Sequence, residues 1–271
     1  MFVQVQPDVL AGNVPVGYLT TSRLCWAGCA FCRLASPPTA HDRPKRWNPD
    51  NAIATHDLSR IRVLKVRGGL SATEPFDHWV RFLRQLAPQL APGTIMLAFS
   101  PVELWHYHVK ERRSLRELAR LLVWAGATAI GPGGSETWDA ERRNRWAPHR
   151  LTVDQWWQVV ECAEAVGLGY TLGPMAIPRQ SHDDWHQYLQ GIRPVAPLHI
   201  EIKPLNSDNT PLASEGHGHV LEVGYAAQIL RAAFPSVPIY VRWPDPSPDV
   251  AQILGASGVT GLFVTQWEVS S

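Results

Sequence analysis

The chain has 271 residues, with 25 Lys and Arg against 24 Asp and Glu, a formal net charge of +1 and 18% charged residues. That balance argues against a dedicated nucleic-acid or anionic-membrane surface, and no run of about 18 apolar residues is available to span a membrane. The opening MFVQVQPDVLAGN has no basic segment followed by an apolar one, so a cytoplasmic protein without a secretory signal is expected.

From the N-terminus onward, short β-rich runs alternate with helical stretches. The expected strands are VGYLTTS (16–22), RIRVLKV (60–66), TIMLAFS (94–100), ATAIG (127–131), GYTLG (169–173), LHIEIKP (198–204), PIYVRW (238–243) and GLFVTQ (261–266). Between them, Ser114-Leu115-Arg116-Glu117 and Thr152-Val153-Asp154-Gln155 fit capping boxes at helix starts. Gly126 and Gly167 stand where those helices should stop. The 23 prolines punctuate the connections, and the 12 tryptophans fall in helical stretches where packing accounts for them. Strands alternating with helices predict parallel pairing, most simply a (β/α)8 TIM-type barrel in one domain over residues 1–271. A doubly wound sheet is the alternative, but nothing like GxGxxG follows the first strand.

Several strands carry charge on one alternating face. Lys65 and Arg67 oppose Leu64 and Val66; His199, Glu201 and Lys203 oppose Ile200 and Ile202; Tyr240 and Arg242 share a face. A barrel's outer face packs on helices, so the polar set should point inward. A sealed dry lumen holding Lys65, Arg67, Glu201, Lys203 and Arg242 would be costly. Either these residues pair or reach solvent at the strand ends, or they line a polar cavity built for a ligand, the reading we favour.

Three of the four cysteines lie within CWAGCAFC, at Cys25, Cys29 and Cys32, and the fourth is Cys162. Without a secretory signal, disulfide pairing is disfavoured. Structural zinc takes four closed ligands, commonly as two separated pairs, and a [4Fe-4S] cluster ordinarily takes four thiolates. Three thiolates leave one iron free for another ligand.

CxxxCxxC with Phe31 directly before the last cysteine resembles the signature of the radical S-adenosylmethionine (SAM) superfamily. The resemblance implies that the open iron chelates the methionine moiety of SAM. An electron from the cluster then cleaves SAM to methionine and a 5′-deoxyadenosyl radical. LKVRGGLS is similar to the superfamily's glycine motif, in which the backbone at Gly68 and Gly69 would approach the methionine amino group. The segment from Ser100-Pro101-Val102-Glu103 through Gly133, Ser135, Glu136, Arg143, Pro148, Arg150 and Trp156 narrows the likeness. It resembles the group containing FO synthase, aminofutalosine synthase and dehypoxanthine futalosine cyclase, and NTPL (Asn209, Thr210) resembles a later loop of that group. By this resemblance Phe31, Gly68, Gly69, Ser100, Ser135, Glu136, Arg143 and Met175 would contact SAM. Strand alternation, independently of the resemblance, makes Lys203, Arg242 and Glu201 the candidate catalytic residues that would meet the substrate.

The likeness covers roughly residues 14–265 and leaves the relatives' longer N-terminal segment and further C-terminal segment without counterparts. It also breaks inside the barrel. Where relatives read TxMYGHxE, this chain has TLGPMAIPRQ with Pro178 and Gln180, and Arg150 stands in place of a lysine. Cluster and SAM chemistry are therefore expected, but no one relative's substrate. Glu136 could instead stabilise a helix dipole, and Arg143, within RRNR, a solvated helix face. Cys162 reads as a structural thiol, while His106, Tyr107 and His108 are candidate substrate contacts. No second cysteine group suggests an auxiliary cluster. The expectation is a radical SAM enzyme forming C–C bonds, adding adenosyl, or rearranging a small polar, anionic metabolite. Its reductant would be a donor such as flavodoxin or ferredoxin. A hydrogen-abstracting epimerase or lyase, or a catalytically silent cluster-binding barrel, is the alternative.

Overall fold

A computed structural model describes residues 12–32, 56–70, 74–193, 196–208, 210–243 and 246–270, so Asn209 of the NTPL loop lies outside the described residues. The strands are β1 (Gly12–Thr20), β2 (Val63–Arg67), β3 (Ile95–Ala98), β4 (Ala129–Ile130), β5 (Gly169–Leu172), β6 (Met175–Ala176), β7 (His199–Pro204), β8 (Ile239–Arg242) and β9 (Gly261–Ser270). They run β1-β2-β3-β4-β5, then β5 pairs directly with β7, and β7-β8-β9 returns to β1, all parallel. The result is a closed (β/α)8-type barrel of eight strands. All eight expected strands are present. The two-residue β6 is an addition, pairing Met175 with Lys203 and Ala176 with Pro204 at the end of β7. It is too short to show a periodicity.

The helices among the described residues are α1 (Phe76–Leu86), α2 (Pro101–Glu111), α3 (Leu115–Trp124), α4 (Ala140–Trp146), α5 (Val153–Glu164), α6 (His182–Gln190), α7 (Val220–Ala233) and α8 (Pro248–Ala256). Their apolar stripes, such as Phe76, Trp79, Val80 and Leu83 on α1, cover the outward strand residues Leu64, Val66, Ile200, Ile202 and Val241. Val16, Tyr18, Val63, Leu97, Ala129 and Phe263 fill the lower lumen as a separate layer. Strand alternation therefore sends its faces as expected, with charges gathered above that layer.

Helix ends follow the local chemistry. Thr152 and Gln155 cap α5 reciprocally. Ser114 accepts the Glu117 N–H at 3.2 Å to start α3, but the Glu117 carboxylate turns to Arg113 at 2.9 Å, leaving that capping box half made. Gly126 and Gly167 end α3 and α5 at φ 94° and 80°, where a side chain would be strained. The Trp156 indole of α5 donates to the Gly133 carbonyl at 3.0 Å and so ties that helix to the loop after β4.

Candidate active site

The C-terminal ends of the strands surround a cavity of about 250 Å³, the place where barrel enzymes put their chemistry. Its first wall is the loop leaving β1. The Thr21 N–H bonds Arg67 O at 2.7 Å, the Gly69 N–H bonds Ser22 O at 2.7 Å, and the Ala30 N–H reaches Trp146 O at 2.7 Å, at the end of α4. Gly28 takes φ 57°, and the Cys32 N–H closes a turn on Cys29 O at 3.0 Å. Phe31 packs edge-on against Trp146 at 6.1 Å, with the Arg150 guanidinium 5.5 Å from its ring centroid. Cys25, Cys29 and Cys32 are all unpaired and all line the cavity, whereas Cys162, on α5, does not.

The donor chemistry fits a soft metal group. Three sulfurs without a nitrogen or carboxylate partner favour iron–sulfur or zinc ligation. Burial pushes the Cys29 thiol up to about 11, so a bound cation is what would ionise it. Among the described residues no three His, Cys, Asp or Glu side chains converge on a single metal ion. A four-iron cluster does not require such convergence, because each thiolate meets a different iron.

The second wall is the Gly68–Gly69 turn after β2. A Cβ on Gly69 would stand 2.1 Å from Leu24 O and 2.9 Å from Cys25 Cβ, and one on Gly68 would stand 2.0 Å from Thr21 Oγ1. Their bare backbones are therefore required by the cysteine loop itself. Glu103 of α2 fastens this turn. Its Oε1 accepts the Gly68 N–H at 2.8 Å, and its Oε2 accepts the Ser100 N–H at 2.8 Å and the Ser100 hydroxyl at 2.7 Å. Ser100 thus lines the cavity as the cap of α2 with its hydroxyl already engaged. Phe99, just before it, holds φ 60°, a conformation costing a bulky residue about 1–3 kcal/mol. The surroundings enforce it through the Phe99 N–H to Val66 O at 2.9 Å and the Gly131 N–H to Phe99 O at 2.5 Å.

Burial pushes the Glu103 carboxyl up to about 7 from an ordinary 4.5, against the pull of its hydrogen bonds. A carboxyl raised by folding stabilises the fold while protonated, and that contribution is complete below about 4.5 and lost as pH rises through about 7. Wild-type stability should therefore fall by up to about 3 kcal/mol between pH 4.5 and 8 relative to Glu103→Gln. Urea unfolding of both proteins across that range checks it, and parallel pH profiles would contradict it.

The third wall is the loop after β4. Glu136 lines the cavity; its Oε2 accepts the Gly134 N–H at 3.0 Å and Arg150 Nη1 at 2.9 Å, and its Oε1 lies 3.8 Å from Lys203 Nζ. Burial works against its charge, but Arg150 and then Lys203 hold it below the usual carboxylate range. At the floor Lys65 and Glu201 form a buried ion pair at 2.7 Å, with Lys65 Nζ 4.0 Å from the Phe263 ring centroid. Burial opposes the Glu201 charge as well, and Lys65 followed by Lys203 keeps it ionised.

Four residues expected at the site stay out of the cavity. Ser135 is fully buried; its hydroxyl donates to Pro132 O at 2.6 Å and accepts the Gly173 N–H at 2.8 Å. Arg143 is half-buried, lining a small adjoining pocket with Phe31, Glu136 and Arg150, and it donates to the carbonyls of Gly134, Thr137 and Leu151 at 2.6, 3.0 and 2.8 Å. Met175 packs among Trp146, Ile177, Leu205 and Leu212. Arg242 lies 4.6 Å over the Tyr18 ring and 3.9 Å from Glu268. Glu268, exposed on β9, also takes Arg67 at 3.3 Å, an acidic partner that the expected last strand, ending at residue 266, left out. His106 packs on exposed Trp26 at 6.0 Å, Tyr107 on Phe76 at 5.1 Å, and His108 Nδ1 lies 2.5 Å from Arg113 O; none of the three lines the cavity. Conversely, Glu103 and Arg150, which the sequence offers only as motif positions, stand in the site. The signal available in sequence is the serine–glutamate capping spacing for one and a cation where relatives carry a lysine for the other.

No family model matches the chain. It is 25% identical over 193 residues to a 5-amino-6-(D-ribitylamino)uracil–L-tyrosine 4-hydroxyphenyl transferase of Methanopyrus kandleri, covering 69% of this chain and 52% of that protein. It is 26% identical to an aminodeoxyfutalosine synthase of Streptomyces coelicolor, over 59% of this chain and 42% of that one. It is 27% identical to a cyclic dehypoxanthine futalosine synthase of Halalkalibacterium halodurans, over 64% and 47%. The chain thus spans about half the length of the curated relatives it matches. Among solved structures, methylornithine synthase (PylB) superposes with TM-score 0.67 at 15% identity, over 92% of this chain and 71% of that one. The hydrogenase maturase HydG superposes with TM-score 0.71 at 13% identity, over 94% and 58%. At those identities the two structures establish the barrel.

Proposed function

We propose a function that proceeds from what the chain is, a member of the radical SAM family: an enzyme that carries a site-differentiated [4Fe-4S] cluster on Cys25, Cys29 and Cys32. The observation that carries this reading is that all three thiols, unpaired, line one cavity together with the Gly68–Gly69 turn. When bound, the cluster and SAM would supply a carbon-centred radical from reductive cleavage of the sulfonium. The chain's own residues do the rest. The Gly68–Gly69 turn, fixed by Glu103, would present backbone to the methionine end of SAM. Glu136, kept ionised by Arg150, would accept hydrogen bonds from the ribose hydroxyls. Ala27, Leu70, Leu97, Phe99 and Val102 give the cavity apolar walls that exclude water from a reactive intermediate.

Within this family the named relatives are synthases and a transferase, which supports C–C bond formation, adenosyl addition or rearrangement on a small polar metabolite. The electron would come from a small donor of the flavodoxin or ferredoxin kind. The test is anaerobic reconstitution with iron and sulfide, followed by SAM and dithionite and mass analysis of the products. Methionine with 5′-deoxyadenosine is expected without substrate, and an adenosylated or rearranged product with the right metabolite. Intact SAM in every sample would overturn the proposal.

A further inference from the structure

We infer that Lys203 is the anion-recognising group of the cavity and that the substrate carries a carboxylate or phosphate that meets it. This rests on the cavity being the substrate site of the enzyme proposed above. The other charges lining the cavity are already engaged. Lys65 is closed onto Glu201 at 2.7 Å. Arg67 reaches Glu268 at 3.3 Å while lying 4.4 Å over the Tyr18 ring. Arg150 meets Glu136 at 2.9 Å, and Glu103 gives both oxygens to Gly68 and Ser100.

Lys203 differs. Its nearest acidic oxygen among the described residues is Glu136 Oε1 at 3.8 Å, beyond hydrogen-bonding reach. The other oxygen of that carboxylate is occupied by Arg150 and the Gly134 N–H. Glu136 offsets one cation, so the Arg150–Glu136–Lys203 group keeps one positive charge; both cations line the cavity, and Lys203 is the one not hydrogen-bonded to the carboxylate. A partly desolvated cation without a close counter-ion is an unfavourable arrangement that an entering anion relieves.

The backbone beneath it is shaped to keep it there. A Cβ on Gly173, just past β5, would stand 2.9 Å from Lys203 Nζ, 3.0 Å from its Cε and 2.7 Å from Pro132 Cβ. The ammonium therefore rests on bare backbone, and any side chain at 173 would push it away. Across the cavity, Thr20 is 3% exposed, and its hydroxyl has no hydrogen-bond partner. It lines the same space, as a buried polar group waiting for a ligand does. A lysine ammonium is a point charge without the fork geometry that selects a planar partner, so carboxylate and phosphate share the chemistry it recognises.

Calorimetric titration of the full chain with inorganic phosphate and, separately, with benzoate tests this, using both anaerobically reconstituted and metal-free protein. Saturable binding of one anion is expected, and the stronger arm identifies the substrate's group. Lys203→Met should weaken that binding about tenfold or more, while Lys203→Arg retains most of it. Gly173→Ala, which keeps the lysine but crowds it, should weaken it several-fold. Thermal melts confirm that each variant is folded. If neither anion binds, or if Lys203→Met binds as well as wild type, the inference is overturned. Anion binding through Lys203 in a protein that takes up neither iron nor SAM would uphold this inference and remove the enzyme reading alone.

Discussion

Replacing any one of Cys25, Cys29 or Cys32 with Ala should abolish cluster assembly and SAM cleavage, while Cys162→Ala should retain both. All three thiols stand on one cavity wall and none is in a disulfide. A cluster already holding one open iron has no protein ligand to spare, so loss of a second position leaves two thiolates and an unstable assembly. Cys162 sits half-buried in α5, away from the cavity, so its removal costs packing at most. Iron content and 5′-deoxyadenosine release in the four variants are the readouts. Full iron and activity in any of the three loop variants would show that its sulfur is not a ligand.

Gly69→Val should be nearly as damaging, and through the cluster as well as through SAM. The resemblance to the glycine motif implies a role toward SAM alone, whose methionine amino group the Gly69 backbone would approach. The structure changes that expectation, because a Cβ at 69 falls 2.1 Å from the Leu24 carbonyl oxygen and 2.9 Å from Cys25 Cβ. A clash with backbone cannot be relieved by a rotamer change, so the loop carrying the first cysteine has to shift. The same loop is tied to residue 69 by the Gly69 N–H to Ser22 O bond at 2.7 Å, which would be strained at the same time. Gly68→Ala should be milder, since its Cβ would meet the end of a side chain, Thr21 Oγ1. Iron retention after reconstitution should therefore rank wild type above Gly68→Ala above Gly69→Val. A Gly69→Val protein with full iron and weakened SAM affinity would restore the narrower, SAM-only role.

The fold was legible because each signal was local. Eight β-rich runs, caps at Ser114 and Thr152 and stops at Gly126 and Gly167 suffice to fix a parallel barrel once chain closure is required. The charged lumen was equally readable from strand alternation, and Lys65, Glu201 and Lys203 do line the cavity. What alternation could not reveal is pairing across the barrel. Glu268 lies past the apolar run used to end the last strand, yet β9 continues to Ser270 and brings it to Arg67 and Arg242. Glu268 offsets one of these two arginines, so the surplus of positive charge inferred from strand positions alone is reduced, and among the cavity-lining cations Lys203 is the one without a hydrogen-bonded carboxylate. Arg143 and Ser135 illustrate a second limit. Both sit in motif positions beside Glu136, but their donors are consumed by loop carbonyls, a fact set by three-dimensional backbone routing that no sequence spacing encodes.

The most direct measurement is made on one sample, the full chain purified and reconstituted without oxygen. Iron and sulfide are counted, and the electron paramagnetic resonance spectrum of the dithionite-reduced protein is recorded before and after SAM is added. The account predicts about four iron ions per chain and a spectrum that SAM alters, because SAM binds the iron that Cys25, Cys29 and Cys32 leave open. Zinc in place of iron, or an iron cluster whose spectrum is indifferent to SAM, would contradict it.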